Sequence, residues 1–257
     1  MRKSEERKQD ILNVLKTDSA ATVSELAERF GVSNETIRLD LDYLEQKGLI
    51  NRVYGGAVLK KGNAEIPFQF RKTEHNNIKK ELARELIRHV PDDSVIYLTS
   101  SSTNLQLCSY LKIRKNLTIF TNSFEIISAL QDTKHTLIVI GGQFYNIGKR
   151  MIGPYAAEMI KHIYFDLCIC GMDGCKDIDG PATQSQSEHL YIQKVLAQSR
   201  KKYLVSDQSK FSHPAQYKFA QFKDFDLLLF DVLSKQNKQI ILHNIDTRKT
   251  KLIEMKI

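Results

Sequence analysis

The sequence predicts an α/β protein in two parts: a small helical domain closed by a hairpin, then a larger domain built on a mainly parallel sheet. Three observations predict it. Residues 22–58 place two short helical patterns and a tight turn ahead of a Gly-Gly hairpin. From residue 95 onward, short apolar runs alternate with helical stretches, the pattern of a sheet covered on both faces. The length of 257 residues exceeds one small helical domain, so a second of ordinary size must follow.

The first helix runs from Ser4 to about Lys16, with Ile11, Leu12 and Leu15 on one side and Glu5, Glu6, Arg7 and Lys8 ahead of them. The second starts at Thr22, which forms a capping box with Glu25: hydroxyl and carboxylate each satisfy a backbone N–H that lacks a partner. Val23, Leu26, Ala27 and Phe30 follow at helical spacing, and Gly31 ends the helix by accepting the left-handed conformation of a sharp turn. Val32 plugs the corner, and Ser33 or Asn34 caps the third helix. That helix has a thin apolar stripe of Ile37, Leu41 and Leu44, so Glu35, Arg38, Leu39, Asp42 and Gln46 face away from it. It stops at Gly48. Leu49 to Tyr54 then alternates, Gly55-Gly56 makes a two-residue turn, and Ala57 to Leu59 returns.

This layout is a winged helix-turn-helix, which places one helix in the major groove of double-stranded DNA. The expected DNA-facing residues are Thr22, Ser33, Asn34, Glu35, Thr36 and Arg38 from the helices, with Arg52, Tyr54, Gly55 and Gly56 from the wing. The alternative is a helical hairpin that packs on a partner protein. The capping box, glycine turn, thin stripe and wing in register favour DNA.

The net charge is +8, yet residues 1–60 hold ten Lys/Arg and ten Asp/Glu, so the whole excess lies in residues 61–257. It is therefore not the footprint of the DNA reader. It suits a solvated surface, or attraction of an anionic small molecule. Cys108, Cys168, Cys170 and Cys175 form no zinc-finger pairing and read as small buried hydrophobes; Cys168 and Cys170 alternate on one side of a strand. The seven histidines are scattered, so no metal or cofactor is expected. A polar N-terminus and the lack of a long apolar run predict a cytoplasmic protein with no membrane contact.

Residues 61–74 have a connector's composition, with Ile66, Phe68 and Phe70 suggesting an extended packed piece. A helix is expected from Asn76 to His89, broken by Pro91. Strands are expected at 95–99, 117–121, 136–142, 202–207, 226–231 and 239–244 (QIILHN), and a strand with a glycine-bearing loop over 165–174, with helices opening at Ser100–Thr103, Asn122-Ser123, Gly153-Pro154 and Gln186. Ligands of such sheets sit at the carboxyl ends of strands. There this chain places Ser100, Ser101, Ser102 and Thr103, then Asn122 and Ser123, then Gly141-Gly142. Helix N-termini with hydroxyls around them bind anions, although the same residues are ordinary caps. Asp207 and Lys210, three residues apart past a strand, suit sugar hydroxyls and phosphate together, with a surface ion pair as the alternative; Asp173, Thr183 and Glu188 follow the neighbouring strand.

TIRLDLDYLEQKG followed by RVYGGAV resembles the DeoR-type repressors of bacterial sugar catabolism. Thr36, Ile37, Arg38, Asp40, Leu41, Leu44, Gly48, Arg52, Gly55, Gly56 and Ala57 match that pattern, while Leu39 stands for a second arginine and Tyr54 for a histidine. The resemblance continues through the 99–103 loop, Thr121-Asn122-Ser123, Gly141-Gly142, Gly153-Pro154, Gly171–Gly174 and the D-x-S-K-F of 207–211. At 99–103 this chain reads T-S-S-S-T where the family loop is usually D-S-G-T-T. The resemblance implies a second domain with the ribose-5-phosphate isomerase/CoA-transferase-like fold, and Asp207 and Lys210 holding a phosphorylated effector with help from Lys79 or Lys80.

The expected organisation is a DNA-binding domain over 1–60, a connector over 61–74, and an effector-sensing and oligomerising domain over 75–257. The expected function is a repressor of a carbohydrate operon. It would act as a homodimer or homotetramer on operator DNA, controlled by an anionic metabolite such as a sugar phosphate, and would not be an enzyme. One alternative is a sugar-phosphate isomerase or hydrolase with an appended reader, drawing on Asp173, Glu188 and Lys210. The other is an interaction module.

Overall fold

A computed structural model describes residues 2–59, 65–176 and 178–255; residues 60–64, where the expected connector begins, lie outside it. The chain divides into two compact units, one ending at Glu74 and one starting at His75.

The first unit runs α1 (Arg2–Asp18), β1 (Ala20–Thr22), α2 (Val23–Phe30), α3 (Asn34–Gln46), β2 (Ile50–Val53), β3 (Gly56–Leu59) and α4 (Phe68–Thr73). Its core joins Ile11 and Leu15 of α1 to Leu26 of α2, to Ile37, Leu41 and Leu44 of α3, and to Ile50 and Ala57 of the hairpin. The capping box is present: the Glu25 amide donates to Thr22 Oγ1 at 3.1 Å and the Thr22 amide to Glu25 Oε2 at 2.7 Å. Gly31 sits at φ +62° with its N–H on the Ala27 and Glu28 carbonyls, and the Ser33 hydroxyl accepts from the Thr36 amide at 3.2 Å.

Three local expectations differ from the structure. Three residues, too few to show alternation, form β1, which pairs antiparallel with β3 and makes the wing three-stranded in the order β1-β3-β2. The wing turn is Tyr54-Gly55 rather than Gly55-Gly56, because Gly56 already pairs with Val53 on one side and Thr22 on the other. Residues 68–73 are helical: Pro67 at φ −56° presets the entry, and Phe68, Phe70 and Arg71 are all buried.

The second unit runs α5 (Asn76–Leu86), β4 (Val95–Leu98), α6 (Ser102–Leu111), β5 (Thr118–Thr121), α7 (Phe124–Leu130), β6 (Thr136–Val139), β7 (Gln143–Tyr145), β8 (Arg150–Ile152), α8 (Pro154–Met159), β9 (Phe165–Cys170), β10 (Ala182–Thr183), α9 (Gln186–Ala197), β11 (Ser199–Ser206), β12 (Tyr217–Lys218), β13 (Leu227–Phe230), α10 (Lys235–Asn244) and β14 (Lys251–Glu254). Seven strands form one sheet in the order β14-β13-β11-β9-β4-β5-β6, every neighbouring pair parallel. Alternate residues serve opposite faces. Cys168, Cys170, Leu204 and Leu228 face one core with α8 and α9, and Leu167, Ile169, Val205 and Leu229 face the other with α5, α6 and α7. Burial on both faces explains the continuous apolar runs.

QIILHN is not a strand. It belongs to α10, whose N-terminus is fixed by the Ser234 hydroxyl accepting from the Asn237 amide at 3.1 Å; the edge strand is the later Lys251–Glu254. Antiparallel pairs β7–β8 and β10–β12 form in segments expected to be loops. Among the described residues no helix is long and apolar enough to cross a membrane. All four cysteines are buried and unpaired as disulfides. Burial pushes the Cys108 and Cys175 thiols up to about 12.

Chain direction across the sheet reverses at β4: β5 and β6 extend to one side, and β9, β11, β13 and β14 to the other. The connections leaving the carboxyl ends of β4 and β9 therefore run off to opposite sides of this point.

Candidate nucleic-acid interface and anion site

In the first unit, α3 buries its stripe and leaves the opposite face in solvent. Ser33, Asn34, Glu35 and Arg38 are exposed and Thr36 is half-buried. The Arg38 guanidinium lies 3.1 Å from Glu35, both ends open to water, so this pair is weakly held and Arg38 can turn to a phosphate or base. Tyr54, 66% exposed, stands at the wing tip beside Gly55 at φ +78°.

Three of the expected DNA-facing residues, and Asp40 of the family pattern, have other duties. Arg52 donates to Asp42 Oδ1 at 2.7 Å and to the Arg38 carbonyl at 3.1 Å, and its amide donates to Glu45 Oε1 at 2.7 Å. It fastens the wing to α3. Asp40, which matched the family pattern, is buried and pairs with Arg7 Nε at 2.5 Å, fastening α1 to α3. The Thr22 hydroxyl is used by its cap. Gly56 is buried, and a Cβ there would meet the Ala21 carbonyl, with Phe70 Cε1 at 2.6 Å. Sequence reading missed Tyr43, 39% exposed on α3 with the Lys8 ammonium 4.2 Å and the Lys47 ammonium 5.6 Å from its ring. Its i+4 spacing from Leu39 was the available signal.

In the second unit, the carboxyl edge of the sheet gathers two charged groups. Asp207, at the end of β11, is 2% exposed and accepts from the Ser209 amide at 3.1 Å. Burial raises its carboxyl, but Lys210, the Ser209 hydrogen bond, Lys79 and His75 outweigh that and hold it below its ordinary value. Lys79 and Lys210 are themselves buried. Lys80 is exposed on α5; one residue along a helix is a 100° turn, so only one of the two adjacent lysines can face the sheet. Asp231, past β13, accepts from the Gln208 amide at 2.6 Å. Burial raises its carboxyl, the Gln208 bond opposes this, and neighbouring Asp207 adds to the rise.

The two acids therefore act oppositely with pH. Asp207, depressed when folded, contributes stability above its unfolded value, lost as pH falls through its folded one. Asp231, raised when folded, is a net cost once pH exceeds its folded value. Asp231→Asn keeps an oxygen for the Gln208 amide. It is expected to raise the melting temperature by a few degrees at neutral pH, with the gain vanishing in acid. Melting curves across pH check this; a constant gain at every pH contradicts it.

The second group is Glu188, Arg150, Thr183 and Asp173. Arg150 Nη2 lies 2.8 Å from Glu188 Oε2 with none of its side chain exposed. The Thr183 hydroxyl is 2.7 Å from Glu188 and 2.9 Å from Asp173, whose carboxylate also accepts from the Gln184 amide at 3.0 Å. Arg150 escaped the sequence reading. Its signal was an arginine opening an apolar strand, Arg150-Met151-Ile152, which calls for a buried acid.

The small polar loops are largely occupied with one another. Ser101 caps α6 through the Asn104 amide at 3.0 Å, Ser123 caps α7, and Ser102 and Thr103 are buried in the first turn of α6. Ser100 donates to the Gly148 carbonyl at 3.3 Å. Asn122 exchanges two hydrogen bonds with the Met151 backbone, each 2.8 Å. Gly142 lacks room for a side chain: an added Cβ would lie 2.6 Å from the Ile152 carbonyl oxygen. The Gly171 amide donates to Thr99 Oγ1 at 3.4 Å, and a Cβ on Gly171 would lie 2.6 Å from that of Ser101, closing the β4 loop on the β9 loop. A cavity of about 520 Å³ opens beside this edge, lined by Cys175, Lys176, Phe211, Ser212, Asn237 and Ile240 among others, and by none of the expected effector residues. Among the described residues no cluster of His, Cys, Asp or Glu could hold a metal ion.

Comparison with known proteins covers both units. The DeoR-like helix-turn-helix domain matches residues 7–62, and the DeoR C terminal sensor domain matches residues 74–232. The chain is 27% identical over 217 residues to the HTH-type transcriptional regulator IolR of Bacillus subtilis, covering 84% of this chain and 86% of that protein. It is 27% identical over 231 residues to the glycerol-3-phosphate regulon repressor of Escherichia coli, covering 89% and 91%. Among solved structures, ribose 5 phosphate isomerase A from Neisseria gonorrhoeae matches 54% of each chain at 16% identity with a TM-score of 0.40, too distant to bear on chemistry.

Proposed function

The chain belongs to the DeoR family, and from that premise we propose that it is a transcriptional regulator, a repressor of a carbohydrate operon released or engaged by a phosphorylated sugar or similar anion. The observation that carries the reading is one chain holding two sites. One is a capped α3 with a solvent-facing polar surface braced by its wing. The other is a sheet edge where two buried lysines share the ionised Asp207. An arriving phosphate can take over those ammonium groups. Arg150, Glu188, Thr183 and Asp173 supply polar groups along the same edge.

Base reading falls to Ser33, Asn34, Glu35, Thr36 and Arg38, with Tyr54 and the Lys8–Tyr43–Lys47 cluster on the backbone. Two copies act together, since one recognition helix reads too few base pairs to be selective. The place of work is the cytoplasm. The chain binds its effector without turnover, which is supported by Glu188 being engaged by Arg150 and Thr183 rather than poised as a base.

The test is fluorescence anisotropy on DNA from the chain's own upstream region, with selection from a genomic library as the second source. Specific, salt-sensitive binding is expected, weakened roughly 10–100-fold by Arg38→Ala. Absence of specific binding under every ligand condition ends the reading. Turnover of a pentose or hexose phosphate that disappears in Glu188→Gln replaces it with an enzyme.

A further inference from the structure

The seven-stranded sheet has two open edges, and they are built differently. β14 carries Lys251 and Glu254 within its four residues, the kind of charge that keeps an unpaired strand from joining another chain. β6 reads Thr136-Leu137-Ile138-Val139, holds no charged residue, and has β5 as its one neighbour in the sheet. Val139 is 40% exposed.

Exposed apolar side chains surround β6, interspersed with Lys149, whose ammonium lies 5.8 Å from the Phe144 ring, and the exposed Glu158–Lys161 pair. Phe124 on α7 and Phe144 on β7 are 49% and 48% exposed and meet edge to face with ring centroids 6.0 Å apart. On α8, Tyr155 is 81% and Met159 44% exposed. The segments that carry these side chains adjoin one another around the β6 edge. Gly142, between β6 and β7, lies against Ala156 of α8, and the Met159 sulfur comes within 4.0 Å of a Cβ built on Gly141. With an aromatic side chain taken as ~200 Å², the five residues leave on the order of 500 Å² of apolar surface in water. A stable interface takes about 800 Å² from each partner, and this patch supplies most of it.

We propose that this face, β6 with Phe124, Phe144, Tyr155 and Met159, seats a second copy of the same chain about a two-fold axis. An uncharged strand edge is self-complementary, because a two-fold axis brings it antiparallel to its own copy. Operator reading also requires a second recognition helix, and this step rests on the function proposed above.

Sedimentation of the full chain without DNA tests the proposal. Wild type is expected to form dimers, or larger even-numbered species, at micromolar concentration. Val139→Asp with Tyr155→Asp is expected to weaken self-association by on the order of 100-fold. Leu242→Asp, on α10 beside the other edge and 42% exposed, is expected to change nothing. A second measurement does not depend on the folding of the double variant. All four native cysteines are buried, so Tyr155→Cys adds one reactive thiol, which a short bis-maleimide should convert to covalent dimer while Leu242→Cys yields none. A monomeric wild type, a double variant that assembles as tightly, or equal cross-linking at both positions overturns the proposal. No arm uses DNA, so operator binding by a chain that dimerises elsewhere sinks this interface and leaves the proposed function standing.

Discussion

Replacing Gly56 with alanine is expected to destabilise the winged unit strongly and weaken DNA binding while the seven-stranded unit is unaffected. Gly56 is the residue through which β3 touches both neighbours, opposite Val53 on β2 and Thr22 on β1. An added Cβ would strike the Ala21 carbonyl, approach Phe70 Cε1 to 2.6 Å and Thr22 Cα to 3.0 Å. Two of those neighbours are backbone and cannot rotate away. Relief means parting β1 from β3, which also moves Thr22 and the cap of α2. Overpacking of this kind costs roughly 3 kcal/mol or more. A unit of this size is stable by only about 4–11 kcal/mol, and each lost kcal/mol lowers its melting point by about 4–8 °C. Calorimetry of the full chain should show one transition falling by roughly 12–24 °C and the other unmoved. Gly55 is the control: at φ +78° with nothing within 4 Å of a Cβ, Gly55→Ala bears only backbone strain of about 1–2 kcal/mol. Equal effects at the two glycines contradict the packing account.

Arg150→Ala is the second large effect, and it falls on the other unit. The guanidinium is fully buried against Glu188 at 2.8 Å and lies 5.1 Å from the Tyr145 ring centroid. Removing one member of a buried ion pair strands the other and costs about 3–5 kcal/mol. At the 2–4 °C per kcal/mol of a domain this large, the second transition should fall by roughly 10 °C. Arg150→Met with Glu188→Gln removes both charges, keeps the bulk, and leaves an oxygen for the Thr183 hydroxyl. That double variant is expected to recover most of the loss. A double variant as unstable as Arg150→Ala shows instead that shape, not the stranded carboxylate, sets the cost.

Local signals were legible wherever a side chain acts on its own backbone. Thr22 with Glu25, Gly31 and Ser33 each do within three residues what their type dictates, so the helix-turn-helix could be read directly. The sheet was legible because burial on both faces leaves apolar runs that no surface segment shares. Three kinds of feature were not. Partners far apart in sequence leave no local trace: Arg7 with Asp40 and Arg52 with Asp42 became visible only once α1, α3 and the wing were assembled. Phase was ambiguous where neighbours share a type, as with Lys79 and Lys80, or Gly55 and Gly56; the buried member of each pair is chosen by tertiary contact. Short apolar runs do not declare their period, so QIILHN read as a strand although the Ser234 cap begins a helix five residues earlier. The Ser/Thr loops at the sheet edge carried both meanings, and most of their hydroxyls serve caps and loop ties.

An anion held at the sheet edge is expected to control the reader at the other end of the chain. The direct test is operator affinity measured by anisotropy against a panel of phosphorylated sugars, wild type beside Lys210→Met. At least one anion should change wild-type affinity by about 5–150-fold, while Lys210→Met binds the same DNA as tightly and does not respond. A response of full strength in Lys210→Met, or none from wild type to any anion in the panel, contradicts it.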